Sequence, residues 1–281
     1  MFSYRHGFHA GNHADVLKHV VLVQILSYLT AKEAPLWFVD THAGAGVYSL
    51  DSVFARKKGE FKTGIGQLWG QSDLPVALKE YLVQVRKINK DEALRDYPGS
   101  PQIALQMLRE QDRLQLFEMH STEGEVLQKQ YANLKRKVSV QPTDGFAGLR
   151  AVLPPPSRRG LVLIDPSYED KADYARVLGA MQHALQRFAT GVYAVWYPQV
   201  QRPESKELPR QLRDLASKSW LHATLKVMAP SKDGLGLHGS GVFVFNPPWK
   251  LEDALREAMP ALVRLLGQDR KASYSLEGKQ T

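Results

Sequence analysis

Four short apolar runs in this chain each stop at, or just before, an acidic residue, and that pattern restricts the fold more than any other feature. Leu36-Trp37-Phe38-Val39 ends at Asp40, and Leu114-Gln115-Leu116-Phe117 ends at Glu118. Val138-Ser139-Val140 leads into Thr143-Asp144-Gly145, and Leu161-Val162-Leu163-Ile164 ends at Asp165. Runs this short do not make helices, and most are too apolar for strands with one wet face. They read as strands buried on both sides, which belong to parallel sheets covered by helices.

Helical periodicity fills the gaps. The spacing predicts a helix over 13–29 with Asn12 as its N-cap, and further helices over 102–110, 119–134 and 171–188, with a short one after Gly145. A fifth strand spans 191–196 and a polar helix 204–216. Runs at 223–228 and 241–245, joined by a Gly-rich segment at 233–239, predict a closing antiparallel hairpin. The expected fold is α/β, an open Rossmann-like sheet of seven strands, the last antiparallel, with helices on both faces. Residues 52–97 break the alternation and show no clear strand. They are expected to form a helical insertion, leaving 1–51 and 98–281 as the main domain. The polar tail after Gly267 is expected to be loosely held.

Composition narrows the setting. Of 281 residues, 43% are hydrophobic and 23% charged, the profile of a folded globular chain. No apolar run approaches the roughly 20 residues needed to cross a bilayer, and residues 1–13 lack a signal-peptide core. The absence of cysteine excludes disulfides and cysteine-bound zinc. A cytoplasmic location is the expectation. Lys and Arg total 37 against 29 Asp and Glu, a net charge of +8, which favours a polyanionic partner through phosphate contacts. The clusters Arg56-Lys57-Lys58, Lys135-Arg136-Lys137 and Arg158-Arg159 read singly as solvated surface.

Ligands of open parallel sheets bind outside the carboxyl ends of the strands. Asp40, Glu118, Asp144 and Asp165 therefore describe an acidic rim. Gly44 and Gly46, in the loop after the first strand, let backbone approach a ligand closely. A carboxylate placed like Glu118 can accept both hydroxyls of a ribose, and one placed like Asp144 can accept from an adenine amine. Asp40 would repel a pyrophosphate, whereas a phosphate-free sulfonium suits the rim. S-adenosylmethionine meets both conditions.

The fourth strand end suggests a reaction. In Asp165-Pro166-Ser167-Tyr168 the proline stiffens the turn and offers no N–H. The Asp165 carboxylate and neighbouring carbonyls are left to accept from an exocyclic amine, and Tyr168 can stack on a base taken out of its helix. Order and motif resemble the adenine-N6 and cytosine-N4 amino methyltransferases, with Ser167 where a second proline is usual. Replacing Ser167 by proline is expected to be tolerated.

A longer resemblance runs along nearly the whole chain. Tyr4-Arg5-His6, His9 to His19, Asp40 to Gly46, Tyr97 to Pro101, Ser157 to Gly160 and Asn246 to Lys250 together resemble the bacterial 23S ribosomal RNA adenine-N6 methyltransferases that modify adenine 2030. That family was earlier described as involved in using external DNA as a nutrient. The resemblance implies a class I S-adenosylmethionine-dependent methyltransferase with a small helical insertion, acting on RNA freed of ribosomal protein; a monomer is expected. It implies that His19, His42, Ser100, Glu118, Asp144, Gly145 and Asp165 bind the donor, that Asp165 is catalytic with Pro166 and Tyr168, and that Tyr4 touches RNA.

Two other sites compete. Asn246-Pro247-Pro248-Trp249 matches the amino-methyltransferase motif letter for letter, but it ends a strand running against the others and so belongs at the wrong edge of the sheet. His6, His9, His13 and His19 invite a metal, yet no HExxH pattern accompanies them, so no metal is expected. The alternative functions are a DNA adenine methyltransferase and a nucleic-acid-binding protein without catalysis. A glutamine methyltransferase with an Asn-Pro-Pro-Tyr turn is disfavoured by Asp165 and by the basic excess.

Overall fold

A computed structural model describes residues 6–134, 136–234 and 236–280, so Tyr4 and Lys135 lie outside the described residues. The first helix, α1 (His13–Thr30), starts where Asn12 Oδ1 accepts from the amides of Ala14 and Asp15. From His13 to Leu26 every residue but Gln24 is buried, because the helix lies between the sheet and three other helices. A helix buried all round needs no polar face, so the charged residues inside it carry information.

The chain continues through β1 (Trp37–Asp40) and β2 (Val47–Ser49) into α2 (Val53–Lys58), α3 (Ile65–Trp69) and α4 (Val76–Arg86), and then β3 (Asp96–Pro98) and α5 (Ser100–Met107). Strand–helix alternation follows: β4 (Arg113–Phe117), α6 (Ser121–Gln130), β5 (Val138–Gln141), α7 (Gly145–Val152), β6 (Gly160–Ile164), α8 (Ala172–Arg187), β7 (Val192–Gln199) and α9 (Pro203–Leu215). The hairpin β8 (Trp220–Lys226) and β9 (Gly239–Phe245), then α10 (Leu251–Leu266) and β10 (Ser273–Lys279), complete it.

Among the described residues the main sheet has the order β10-β8-β9-β7-β6-β1-β4-β5. Strand β1 pairs in parallel with both β4 and β6, β4 with β5, and β6 with β7. Strand β9 is antiparallel to β7 and β8, and β10 is antiparallel to β8. The chain moves outward from β1 to β4 and β5 and then returns to β6 on the other side. That reversal opens a crevice at the carboxyl ends of β1, β4 and β6. One apolar core lies on the α1 side and another beneath α7, α8 and α9.

Two expectations need correction. The sheet has an eighth strand, because the tail after Gly267 is not loose: Ser273 to Lys279 pair with Lys226 to Trp220 along their whole length. As an edge strand β10 is exposed at five of seven positions, so it carries no apolar signature to read. Residues 52–97 are mostly helical but end in β3, whose Asp96 to Pro98 pair with β2 in a separate two-stranded sheet. Three residues are too few to show a period. No described helix is long and apolar enough to cross a membrane.

Candidate active site

Two clefts, enclosing about 920 and 1030 Å³ of space open to solvent, adjoin at the crevice. Each suits a nucleoside-sized ligand and not a duplex. The first lies against the loop after β1. There Gly44, at φ 62°, turns the chain tightly enough for its amide to donate to Glu118 Oε2 at 2.7 Å. The other oxygen of Glu118 accepts from His120 N at 2.7 Å, which fixes the carboxylate beyond the end of β4. Burial pushes this carboxyl above its ordinary value. Ser100, at the start of α5, lines the cleft and donates to Asp40 Oδ2 at 2.6 Å. Asp40 itself does not line the cleft. It is fully buried, its carboxyl is raised to about 7 by desolvation, and it anchors Ser100 and the amide of His42.

His19 and His42 also line this cleft, both lowered to about 3 by burial and therefore neutral. His19 Nδ1 is 2.7 Å from Tyr97 Oη, while its Nε2 is buried without a partner. A buried polar atom left over at a cleft wall is what a ligand would satisfy. His42 sets its ring edge-on to Phe146, 4.9 Å between centroids. Gly145 brings α7 against the loop so closely that a Cβ there would sit 1.8 Å from the Thr41 carbonyl oxygen.

Two predicted donor residues sit differently from expectation. Gly46 lies outside the cleft: its carbonyl accepts from Gly99 N, and Leu127, Gln130 and Tyr131 enclose it. Asp144 does reach the cleft, but its oxygens are already engaged. One accepts from Phe146 N at 3.0 Å, and the other pairs with Arg176 at 2.7 Å. Arg176 also lies over the Phe146 ring, 4.5 Å from its centroid.

The second cleft lies beyond Asp165 and Tyr168 and is bordered by Trp196 of β7 and Arg202 before α9. His6, Lys18, Asp165 and Ser167 line both clefts, so the junction passes through them. Lys18 Nζ is 2.5 Å from Asp165 Oδ2 and 2.8 Å from Asp15 Oδ1, and its side chain is only 5% exposed. Desolvation pushes the Asp165 carboxyl up and the Lys18 charge opposes it. The two carboxylates hold Lys18 protonated, above its ordinary value.

Tyr168 is not the open stacking platform expected of it. Its ring is 2% exposed, packs 4.6 Å from the Tyr174 ring, and donates its hydroxyl to the Trp196 carbonyl at 2.7 Å. Its backbone takes the left-handed conformation at φ 53°, and Arg202 donates to its carbonyl at 2.9 Å. The turn is thus pinned from two sides. The Ser167 amide donates to none of the hydrogen bonds among the described residues, so Ser167→Pro removes only the 3.4 Å bond that Ser167 Oγ accepts from Glu169 N. Its methyl-transfer rate is expected to stay within about fivefold of the parent in a steady-state assay.

The sequence reading weighed His6 only among possible metal ligands, and it missed Asp15, Lys18, Trp196 and Arg176. For Asp15 and Lys18 a signal existed. Asp15 and Lys18 lie in a helix whose neighbours Val16, Leu17, Val20 and Val21 are apolar on every side, which marks them as buried charges.

Asn246, the competing motif, leaves β9 beside the amino ends of β7 and β8, since Phe245 pairs with Tyr193 and Trp220. Its Nδ2 donates to the carbonyls of Ala189 and Gly191 at 2.9 and 2.7 Å, and its φ is 50°. Asn246→Ala is therefore expected to cost about 1–3 kcal/mol of stability. Denaturant titration measures that cost, and the methylation rate of the folded protein should remain within about twofold. Three of the four histidines make other contacts: His6 pairs with Asp15, His9 with Glu60 and His19 with Tyr97. Among the described residues no group of three or more potential ligands is placed to hold an ion.

A mostly parallel sheet with a closing antiparallel strand, a carboxylate-lined cleft at its first strand ends and an Asp-Pro turn at the fourth define a class I methyltransferase that uses S-adenosylmethionine. Residues 33–278 match the family described as "Ribosomal RNA large subunit methyltransferase D, RlmJ", and the chain belongs to it. A relative named "Ribosomal RNA large subunit methyltransferase J" from Escherichia coli K12 is 47% identical over 262 residues, 93% of each chain. One of the same name from Haemophilus influenzae is 45% identical over 278 residues, covering 99% of this chain and 98% of its own. A crystal structure of a Legionella pneumophila protein is similar at 38% identity and a TM-score of 0.88, covering 96% of this chain and 98% of that one.

Proposed function

We propose that this chain transfers a methyl group from S-adenosylmethionine to the N6 amine of adenine in 23S ribosomal RNA, at adenine 2030 by family resemblance. The observation that carries the reading is the Asp165 turn standing between two clefts, with one carboxylate oxygen held by Lys18 and the side chain still 13% exposed. His19, His42, Ser100, Glu118, Asp144 and Gly145 would hold the donor, with Gly44 giving its backbone the necessary closeness. When bound there, S-adenosylmethionine supplies an electrophilic methyl group on a sulfonium.

The chain's own residues do the rest. An amine conjugated to a purine is a weak nucleophile, and Asp165 with the Pro166 carbonyl accepts its hydrogens, which raises electron density on nitrogen. Asp165 also receives the proton that the nitrogen sheds once methylated. Lys18 opposes the desolvation that pushes the Asp165 carboxyl above its ordinary value, and so favours its charged form. Pro166 fixes the direction of the turn. Tyr168 and Trp196 wall the base cleft, Tyr168 as a pinned edge and Trp196 as its half-buried face. The net charge of +8 suits an RNA backbone.

The test is transfer of radiolabelled methyl to protein-free 23S RNA and to duplex DNA, with mass spectrometry of the modified nucleoside. N6-methyladenosine in the RNA and none in the DNA is the expected result. Methylation of DNA alone would replace this reading with a DNA methyltransferase. Failure to bind S-adenosylmethionine in calorimetry would leave only nucleic-acid binding.

A further inference from the structure

Asp15 is buried with the rest of α1, but its carboxylate does not serve the helix. Asn12 already caps α1, and the Asp15 carboxylate, 2% exposed, makes none of the capping bonds. It turns back instead. Its Oδ2 accepts from Gly11 N and from the His6 ring, both at 2.9 Å, and its Oδ1 lies 2.8 Å from Lys18 Nζ. A buried carboxylate weakens a fold unless paired, and replacing such clusters by apolar residues often stabilises a protein. This one stands where the two clefts meet, and two of its three partners line both.

Its effect is on Lys18. An ammonium facing a single buried carboxylate is free to swing across both oxygens and occupy them. Here a second carboxylate draws it to the other side, so Lys18 touches Asp165 through Oδ2, and Asp165 Oδ1 has no hydrogen-bond partner among the described residues. We infer that Asp15 is a positioning residue for methyl transfer, holding Lys18 from behind so that one oxygen of Asp165 stays open to the substrate amine. The inference rests on Asp165 being the acceptor.

The experiment is a double-mutant cycle on the full-length enzyme with Asp15→Asn and Lys18→Met, measuring kcat, the KM for S-adenosylmethionine and the fraction of protein binding S-adenosylhomocysteine. Rates are expressed per binding-competent site, so partial misfolding does not enter. Asp15→Asn alone is expected to lower kcat by about 30- to 100-fold while the donor KM changes less than about threefold, the split expected when transition-state geometry is lost and binding is not. In the Lys18→Met background the same change is expected to cost less than about threefold further, because Asp15 acts through Lys18. Equal losses in both backgrounds, or a single mutant within fivefold of the parent, would overturn the inference. Asp15→Ser gives the same comparison if the asparagine variant does not fold. An active Asp165→Asn enzyme would instead remove the reading on which the inference stands, and so separates the two failures.

Discussion

Asp165→Ala is expected to lower methyl transfer by about 10²–10⁴-fold, the range that follows loss of a positioned general base. S-adenosylmethionine should still bind within about tenfold of the parent, because His19, Ser100 and Glu118 sit on other elements. The two readouts separate chemistry from binding. Structure adds a limit on the damage to the fold. Orphaning one member of a buried ion pair usually costs about 3–5 kcal/mol, but Lys18 keeps Asp15 at 2.8 Å. The expected loss is therefore smaller, about 1–3 kcal/mol, and the variant should purify folded. Asp165→Asn keeps the shape of the side chain while removing its charge, so it should lose nearly as much activity with less loss of stability. Activity within tenfold of the parent in both variants would sink Asp165 as the acceptor.

Gly145→Ala is the second large effect, and it acts on the donor cleft. The added methyl would meet the Thr41 backbone at 1.8, 2.6 and 2.8 Å from its oxygen, carbonyl carbon and Cα. Backbone there cannot yield locally, because Thr41 N and Oγ1 both donate to the Leu163 carbonyl at 3.1 Å. Either α7 or the loop between β1 and Gly46 must move. A stability loss of about 1–3 kcal/mol, typical of overpacking, is expected. Donor affinity should fall by at least about tenfold, since His42 and Gly44 ride on the displaced loop. Gly179→Ala is the control. It lies in α8 with nothing within 4 Å of the new carbon, and a gain of about 0.4–1 kcal/mol is expected there. If Gly145→Ala binds the donor as the parent does, the loop and α7 are not coupled as their packing indicates.

How much of this was legible beforehand depended on periodicity. The buried strands were readable because a fully covered strand such as β6 must be apolar at every position, and their acidic ends marked the crevice. Strand β10 was not, since an exposed edge leaves no pattern. The proposed donor residues His19, Ser100 and Glu118 follow from resemblance alone, and all three line one cleft. Gly46 lies outside the cleft, and sequence does not show this because a glycine in a turn is equally useful to packing. The burial of Tyr168 is not legible because sequence gives a residue type and not its exposure. The Asp15–Lys18–Asp165 chain spans 150 positions and three partners, and such long-range electrostatics has no signature in local order.

The polar C-terminal strand has a consequence for how this protein behaves at high concentration. Strand β8 carries Leu221, Ala223 and Leu225, all buried, and without a neighbour its hydrogen-bonding edge would offer a template to another molecule. Strand β10 occupies that edge and presents Glu277 and Lys279 outward in its place. The residues that look least structured in the sequence are thus the ones that discourage sheet-to-sheet aggregation. Removing the charges of Glu277 and Lys279 therefore acts on colloidal stability and not on the chemistry of the clefts.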